Sequence, residues 1–295
     1  MADGEARLLL GAPIAAEIRA SVRDDIATFV ERRGFAPTLA IVLVGRDAPS
    51  AVYLRQILRA CEAAGIGGRL VEIESDGSSP ADLEAAVTGT IRELNDDPLV
   101  AGIIVQMPLP SSIRLRAVID AIDPAKDIDG IHPLNAGLLR LGYEGFLPAT
   151  AHAAIEMLHR YDIPIEGKVA IVVGRSNVVG MPAAFMLVRE HATVTVCHSR
   201  TRDLGGHVAR AEILIVAAGR PGLITGSMLR PGVVVVDVGI NVVGDKIVGD
   251  VEFDSASRVA GAITPVPGGV GPVTNSILLT HLVRAAFRQA DAAPA

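Results

Sequence analysis

The chain has 295 residues, which at about 150 residues per domain suggests two domains and leaves ample material for a core. Hydrophobic residues make up 50% and charged ones 20%, with no acidic or basic block, which excludes a disordered or fibrous chain. The balance of 27 Lys+Arg against 33 Asp+Glu gives a net charge of -6 without a basic cluster, so nucleic acid is not an expected partner.

The opening MADGEARLLLGAP lacks the charged start and long apolar stretch of a secretory signal. No run approaches the roughly 18 apolar residues of a membrane span, so a cytoplasmic protein without a membrane partner is expected. Cys61 and Cys197 are too few for a disulfide framework and have no His/Cys set at metal-ligand spacing. Both read as reduced core thiols, and no metal is expected.

In chain order the pattern predicts a helix over 12–33, a strand over 38–45 and a helix over 50–64. A strand RLVEIE, a helix over 80–94 and the apolar strand VAGIIVQMPLP follow. Prolines 108, 110, 124 and 133 mark loops at the strand ends, where open α/β sheets place their ligands. A second alternation runs through KVAIVVG, ATVTVCHS, AEILIVAAG and VVVVDVGIN. These strands are apolar throughout, which predicts a parallel sheet covered by helices on both faces. The expected fold is therefore α/β, with a first domain and a doubly wound nucleotide-binding domain. The closing stretch NSILLTHLVRAAFRQA reads as an amphipathic helix returning to the first domain. The expected division is 1–147 with 275–295 against 148–274.

The strand ending at Val173 runs into Gly174, Arg175, Ser176, Asn177, Val178, Val179 and Gly180. Gly174 permits a tight turn, and the following helix N-terminus offers N–H groups to a pyrophosphate. Ser176 stands where the usual second glycine would be, so the generic dinucleotide fingerprint is broken. At the end of the next strand, Ser199 and Arg200 replace the acidic residue of an NAD reader and suit a 2′-phosphate, which favours NADP. Arg175 could join them, and Arg200 could equally be a solvated surface cation. In the first domain Tyr53, Gln106 and the pair Asp127 and Asp129 stand out. A glutamine at an apolar strand end is either a satisfied amide or a ligand contact. Asp127 and Asp129, two apart in an extended loop, point opposite ways and do not form an acid/base pair. His132 reads as a loop histidine, and TPVPGGVGPVT as a stiff loop able to approach a flat ligand.

Taken in order, VGRDAPSAVYL, VQMPLP, KDIDGIHPLNAGLL, GKVAIVVGRSNVVGMP, ATVTVCHSRT, DVGIN, GDVEF and ITPVPGGVGPVT resemble the bifunctional methylenetetrahydrofolate dehydrogenase/cyclohydrolase family over nearly the whole chain. The resemblance implies an N-terminal folate domain, a Rossmann domain, an active site in the cleft between them, and a homodimer. It implies tetrahydrofolate derivatives as substrates and NADP as cofactor. Carried over, Tyr53 would pack on the pterin, Gln106 would sit beside the reacting carbon, and Asp129 would bind the pterin amino edge; these three are the expected catalytic residues. Gly174, Arg175, Ser176, Ser199, Arg200 and Ile240 would hold NADP, and Gly269 and Pro272 would line the folate pocket.

Two departures from the family pattern stand out. The family carries a lysine four positions after the tyrosine, and here that position is Ile57. No shift of register restores it, because the first of only three lysines is Lys126. Ala149, Ala151 and Ala153 also replace the Cys, Pro and Gly of a family loop. Hydride transfer from the bridging methylene is assisted by the adjacent nitrogen lone pair and needs alignment rather than an acid or base. Ring opening of the methenyl product needs a group of tuned pKa to move protons, and isoleucine cannot do so. The expected activity is thus NADP-dependent oxidation of 5,10-methylenetetrahydrofolate to 5,10-methenyltetrahydrofolate, with cyclohydrolase activity weak or lost. A fully bifunctional enzyme, with water or Tyr53 covering for lysine, and a noncatalytic folate- or nucleotide-binding paralogue are the alternatives.

Overall fold

Two parallel sheets and one antiparallel hairpin organise the described residues. The computed structural model describes residues 5–45, 48–75, 77 and 79–292; the side chains of 48–53 and 56 lie outside that description. Strand β1 (Arg7–Leu8) leads into α1 (Gly11–Arg33). There follow β2 (Thr38–Val44), α2 (Ala48–Ala64), β3 (Gly67–Ile73), α3 (Pro80–Asp96), β4 (Val100–Val105) and α4 (Leu115–Ala121). Next come α5 (Pro133–Leu141), α6 (Ala149–Arg160), β5 (Val169–Val173), α7 (Gly180–Arg189), β6 (Thr193–Cys197), α8 (Leu204–Val208) and β7 (Ile213–Val216). The chain closes with β8 (Val234–Asp237), the hairpin of β9 (Asn241–Val243) and β10 (Lys246–Val248), α9 (Phe253–Ser257), β11 (Ala262–Ile263) and α10 (Val270–Ala292).

The fold divides into two compact units. One comprises Glu17–Leu138 with Asn275–Ala295 and holds the parallel sheet β3-β2-β4. Its central strand is a β-branched and aliphatic run, buried along nearly its whole length, which is what a strand covered on both faces requires. Helix α3 shows how the sequence builds the layer. Ser79 accepts a hydrogen bond from the Asp82 N–H at its start, Pro80 opens the first turn, and Leu83, Val87, Ile91 and Leu94 form the buried stripe. That stripe packs with Ala40, Val42, Ile103 and Val105 of the sheet.

The other unit comprises Met1–Ala16 with Leu139–Thr274 and holds a six-stranded sheet in the order β1-β11-β8-β7-β5-β6. Every neighbouring pair in it is parallel, as the uninterrupted apolar strands predicted. Its core joins Ile171, Val173, Leu214, Val216, Val235 and Ile263 with Ile224, Val251 and Ala256 from the covering segments.

The division differs at two places from the one expected at 147/148 and 274/275. Arg7 and Leu8 pair with Ala262 and Ile263, so the N-terminal segment adds an edge strand to the larger sheet. Residues 139–147 also join that unit; there Arg140 stacks over Phe185, 5.5 Å from the ring centroid. The segment around Pro148, read as a loop, is the start of α6, whose Ala149, Ala151, Ala153 and Ala154 are buried. Small residues there are what close packing of a helix face requires. Among the described residues no helix is long and apolar enough to cross a membrane.

Candidate active site

Four strand ends lie in one register across the larger sheet. Val173 of β5 pairs with Cys197 of β6 on one side and Val216 of β7 on the other, and Val216 pairs with Asp237 of β8. The loops beginning at His198, Gly174, Ala217 and Val238 therefore leave the sheet side by side at its carboxyl edge. This is where a doubly wound sheet receives its ligand.

Gly174 turns there with φ +129°, a conformation L side chains avoid, and a Cβ would stand 2.1 Å from the Ala217 carbonyl oxygen. A Cβ on Gly180 would lie 2.2 Å from the Gly174 carbonyl oxygen, so the turn and the first residue of α7 meet backbone to backbone. The Ser176 hydroxyl accepts from Val179 N–H (3.1 Å) and Gly180 N–H (3.3 Å). It caps a helix whose Val179 N-cap offers no side-chain bond, which is the physical reason a serine serves where the fingerprint has glycine. Arg175 and Ser176 are exposed, as are Ser199 and Arg200 on the neighbouring loop. That loop is fixed locally. Thr201 Oγ1 accepts from His198 N–H at 2.8 Å, and His198 Nδ1 accepts from Arg200 N–H at 3.1 Å. Ile240 is 68% exposed immediately before the hairpin, a large aliphatic side chain presented at the same edge. A side-chain-free turn flanked by two exposed guanidinium groups fits an anionic dinucleotide. Burial pushes the Cys61 thiol up to about 12 and raises that of Cys197, so both are core thiols, as read from the sequence.

In the smaller unit Gln106 leaves the end of β4, its N–H donating to Val42 O and its side-chain Nε2 to Met107 O at 2.7 Å. The loop after Asp123 runs beside that strand through a bridge between Ile103 and Asp127. Asp127 is fully buried and accepts from Ile131 N–H, His132 N–H and Asn135 Nδ2. Desolvation raises its pKa, and the hydrogen bonds oppose that rise. Asp127 thus organises the loop, while Asp129, two residues on, is half-buried. His132 Nδ1 accepts from Leu134 N–H, the role of a loop histidine.

Lys126 is buried, and its ammonium donates to the Leu94, Asn95 and Asp97 carbonyls at 3.1, 2.6 and 2.8 Å, closing the C-terminus of α3. Ile57 sits on α2, 1% exposed. Tyr53 belongs to the same helix one turn earlier, and its side chain lies outside the described residues. Gly269 is buried, and a Cβ on Gly11 would stand 1.9 Å from its carbonyl oxygen; Pro272 is in the first turn of α10. The TPVPGGVGPVT stretch is therefore half loop and half helix. Among the described residues no cluster of three His, Cys, Asp or Glu could hold a metal ion.

A parallel, doubly wound sheet with this edge defines a dinucleotide-binding α/β protein. The model of the tetrahydrofolate dehydrogenase/cyclohydrolase catalytic domain matches residues 9–129, and that of the family's NAD(P)-binding domain matches 148–290. The chain is 50% identical to the bifunctional protein FolD of Rhodopirellula baltica, over 95% of this chain and 97% of that one. It also superposes on the bifunctional FolD methylenetetrahydrofolate dehydrogenase/cyclohydrolase of Campylobacter jejuni with TM-score 0.91, at 40% identity over 96% and 99% of the two chains. The methylenetetrahydrofolate dehydrogenase-cyclohydrolase of Trypanosoma brucei, solved with NADP and an inhibitor, gives 0.92 at 35% identity over 98% and 100%. The chain belongs to the tetrahydrofolate dehydrogenase/cyclohydrolase family.

Proposed function

We propose that the protein oxidises 5,10-methylenetetrahydrofolate to 5,10-methenyltetrahydrofolate with NADP and opens the methenyl ring weakly or not at all. The observation that carries the second half is Ile57: a buried aliphatic side chain one helical turn after Tyr53, where the family pattern has lysine. The only lysine in that unit, Lys126, is committed to three helix-terminal carbonyls. Desolvation lowers its pKa, but the geometry holds its nitrogen against α3.

Bound NADP would supply the acceptor for a hydride from the methylene carbon. The protein's own contribution to that step is alignment. Gly174, Arg175 and Ser176 with Ser199 and Arg200 hold the phosphates and ribose, Ile240 packs at the edge, and Tyr53, Gln106, Asp129, Gly269 and Pro272 receive the folate. The positive charge left on the product is delocalised over the two folate nitrogens, so no side chain has to take a proton. Ring opening differs, because water must lose a proton and a ring nitrogen must gain one. Neither isoleucine nor Arg55, whose guanidinium stays protonated near neutral pH, supplies that transfer. NADP in the Trypanosoma brucei relative and the two exposed arginines support the choice of NADP over NAD. A cytoplasmic homodimer belongs to the same reading.

The name of the Rhodopirellula baltica relative favours a second reading, in which this chain too is bifunctional through another proton carrier. One assay separates the two: NADPH formation and methenyl decay followed on the same sample. Redox without accelerated decay supports the first reading, and redox followed by enzyme-dependent decay supports the second.

A further inference from the structure

The carboxylate of Asp250 stands at the centre of the sheet's carboxyl edge and is used by nothing described so far. It is fully buried and accepts four hydrogen bonds. Its Oδ2 takes Ala218 N–H (2.6 Å) and Gly219 N–H (2.8 Å); its Oδ1 takes Arg220 N–H (2.8 Å) and Asn241 Nδ2 (2.8 Å). Three consecutive amides of the loop after β7 thus converge on one side chain from beyond the β9–β10 hairpin. The fourth donor, Asn241, directly follows Ile240.

A side chain with two accepting oxygens suits this place. The Asp250 carboxylate accepts at both oxygens, whereas an asparagine in either amide orientation would turn an NH₂ group toward at least one backbone N–H donor. The surrounding chain is shaped to admit it. A Cβ on Gly239 would lie 2.3 Å from the Asp250 Cγ, and Gly219 bends toward it with φ +64°. A second buried carboxylate braces the first. Asp237, the last residue of β8, accepts from Gly239, Asp250 and Val251 N–H, and a Cβ on Gly249 would stand 1.9 Å from its Oδ2.

We infer that Asp250 is a positioning residue for the dinucleotide: it locks the 218–220 loop to the Ile240–Asn241 turn, so that the two faces of the cofactor edge keep one spacing. This rests on the cofactor edge assigned above. The loops it joins follow Val216 and Asp237, which pair with each other beside Val173. Asp250 therefore acts through backbone and need not touch the ligand.

The test is direct titration of the full-length protein with NADP and NADPH by calorimetry or nucleotide fluorescence, alongside melting of the ligand-free protein and the KM for methylenetetrahydrofolate. Asp250→Asn should weaken NADP by about tenfold or more, since bonds to a charged acceptor are the strong ones. The KM for folate should stay within about twofold, because that substrate's residues are untouched. Asn241→Ala removes one of the four donors and should weaken NADP a few-fold with little change in melting. Leu214→Ala, in the core of the same sheet, serves as the control, with lowered melting and an unchanged Kd. If Asp250→Asn fails to fold, Asn241→Ala decides alone. Parental NADP affinity in the variants that fold would overturn the inference, as would equal losses for NADP and folate. A parent with no NADP affinity would instead overturn the cofactor reading, and this inference with it.

Discussion

The carboxyl edge of the larger sheet and the α2 helix of the smaller unit carry opposite kinds of design. At the edge, polar and charged groups are placed with care: a serine caps α7, two arginines stand exposed, and Asp250 gathers four donors. On α2, the position where the family pattern has its proton carrier is a fully buried isoleucine. The contrast follows the chemistry. Hydride transfer depends on holding two reactants in line, which loops and caps can supply, whereas ring opening depends on one group of tuned pKa, which in the proposed reading Ile57 does not provide.

The largest effect expected from breaking the folate side is Asp129→Ala. With Asp129 in the proposed role at the pterin amino edge, loss of its charge-assisted hydrogen bonding should raise the folate KM about a hundredfold and leave NADP affinity alone. Were Asp129 only a loop brace, melting would fall and the KM would stay, so measuring both on one variant separates the roles. On the nucleotide side, Arg200→Ala and Arg175→Ala should each weaken NADP about tenfold while NAD binding is unchanged, because only a phosphate contact is lost. Parallel titrations with the two cofactors check this, and equal affinity of the parent for both would remove the basis for the preference.

A smaller effect concerns stability. Burial, with the Asp250 charge adjacent, pushes the Asp237 carboxyl up to about 6. Its folded value lies above the unfolded value of about 3.9, so its contribution to stability is full below that pH and is lost as pH rises through 6. Denaturant unfolding of the parent and Asp237→Asn between pH 4 and 7 should show the parent losing stability relative to the variant with rising pH, by up to about 3 kcal/mol. A constant difference would mean that Asp237 does not titrate in that window.

Much of the fold was legible because apolar runs such as TLAIVLV and ILIV carry the parallel-sheet signature. What escaped did so for local reasons. Strand β1 is two exposed residues whose only signal is their partner, Ala262–Ile263. Pro133, read as loop punctuation, opens α5, and Pro148, within a stretch read as a loop, flanks α6, because proline is welcome at a helix start. At the site, Gly174 and Ser176 were readable from a strand-turn-helix pattern. Asp250 was not, since three of its four donors lie about thirty residues away in sequence and meet it only through the fold. The nearest sequence signal was a glycine before it and another at 239, both required by close approach. The capping role of Lys126 was equally invisible, because it depends on the end of a helix thirty residues earlier.

Ile57→Lys should gain some ring-opening activity, with a stability loss of several kcal/mol unless the ammonium is solvated or its pKa falls. The most direct test of the account uses the parent alone: methenyltetrahydrofolate decay at fixed pH, measured against enzyme concentration and compared with the dehydrogenase rate. The expected result is decay close to the buffer rate, with enzyme-dependent turnover about 100- to 10,000-fold below the redox turnover. Decay that scales with enzyme at a rate comparable to hydride transfer would contradict it.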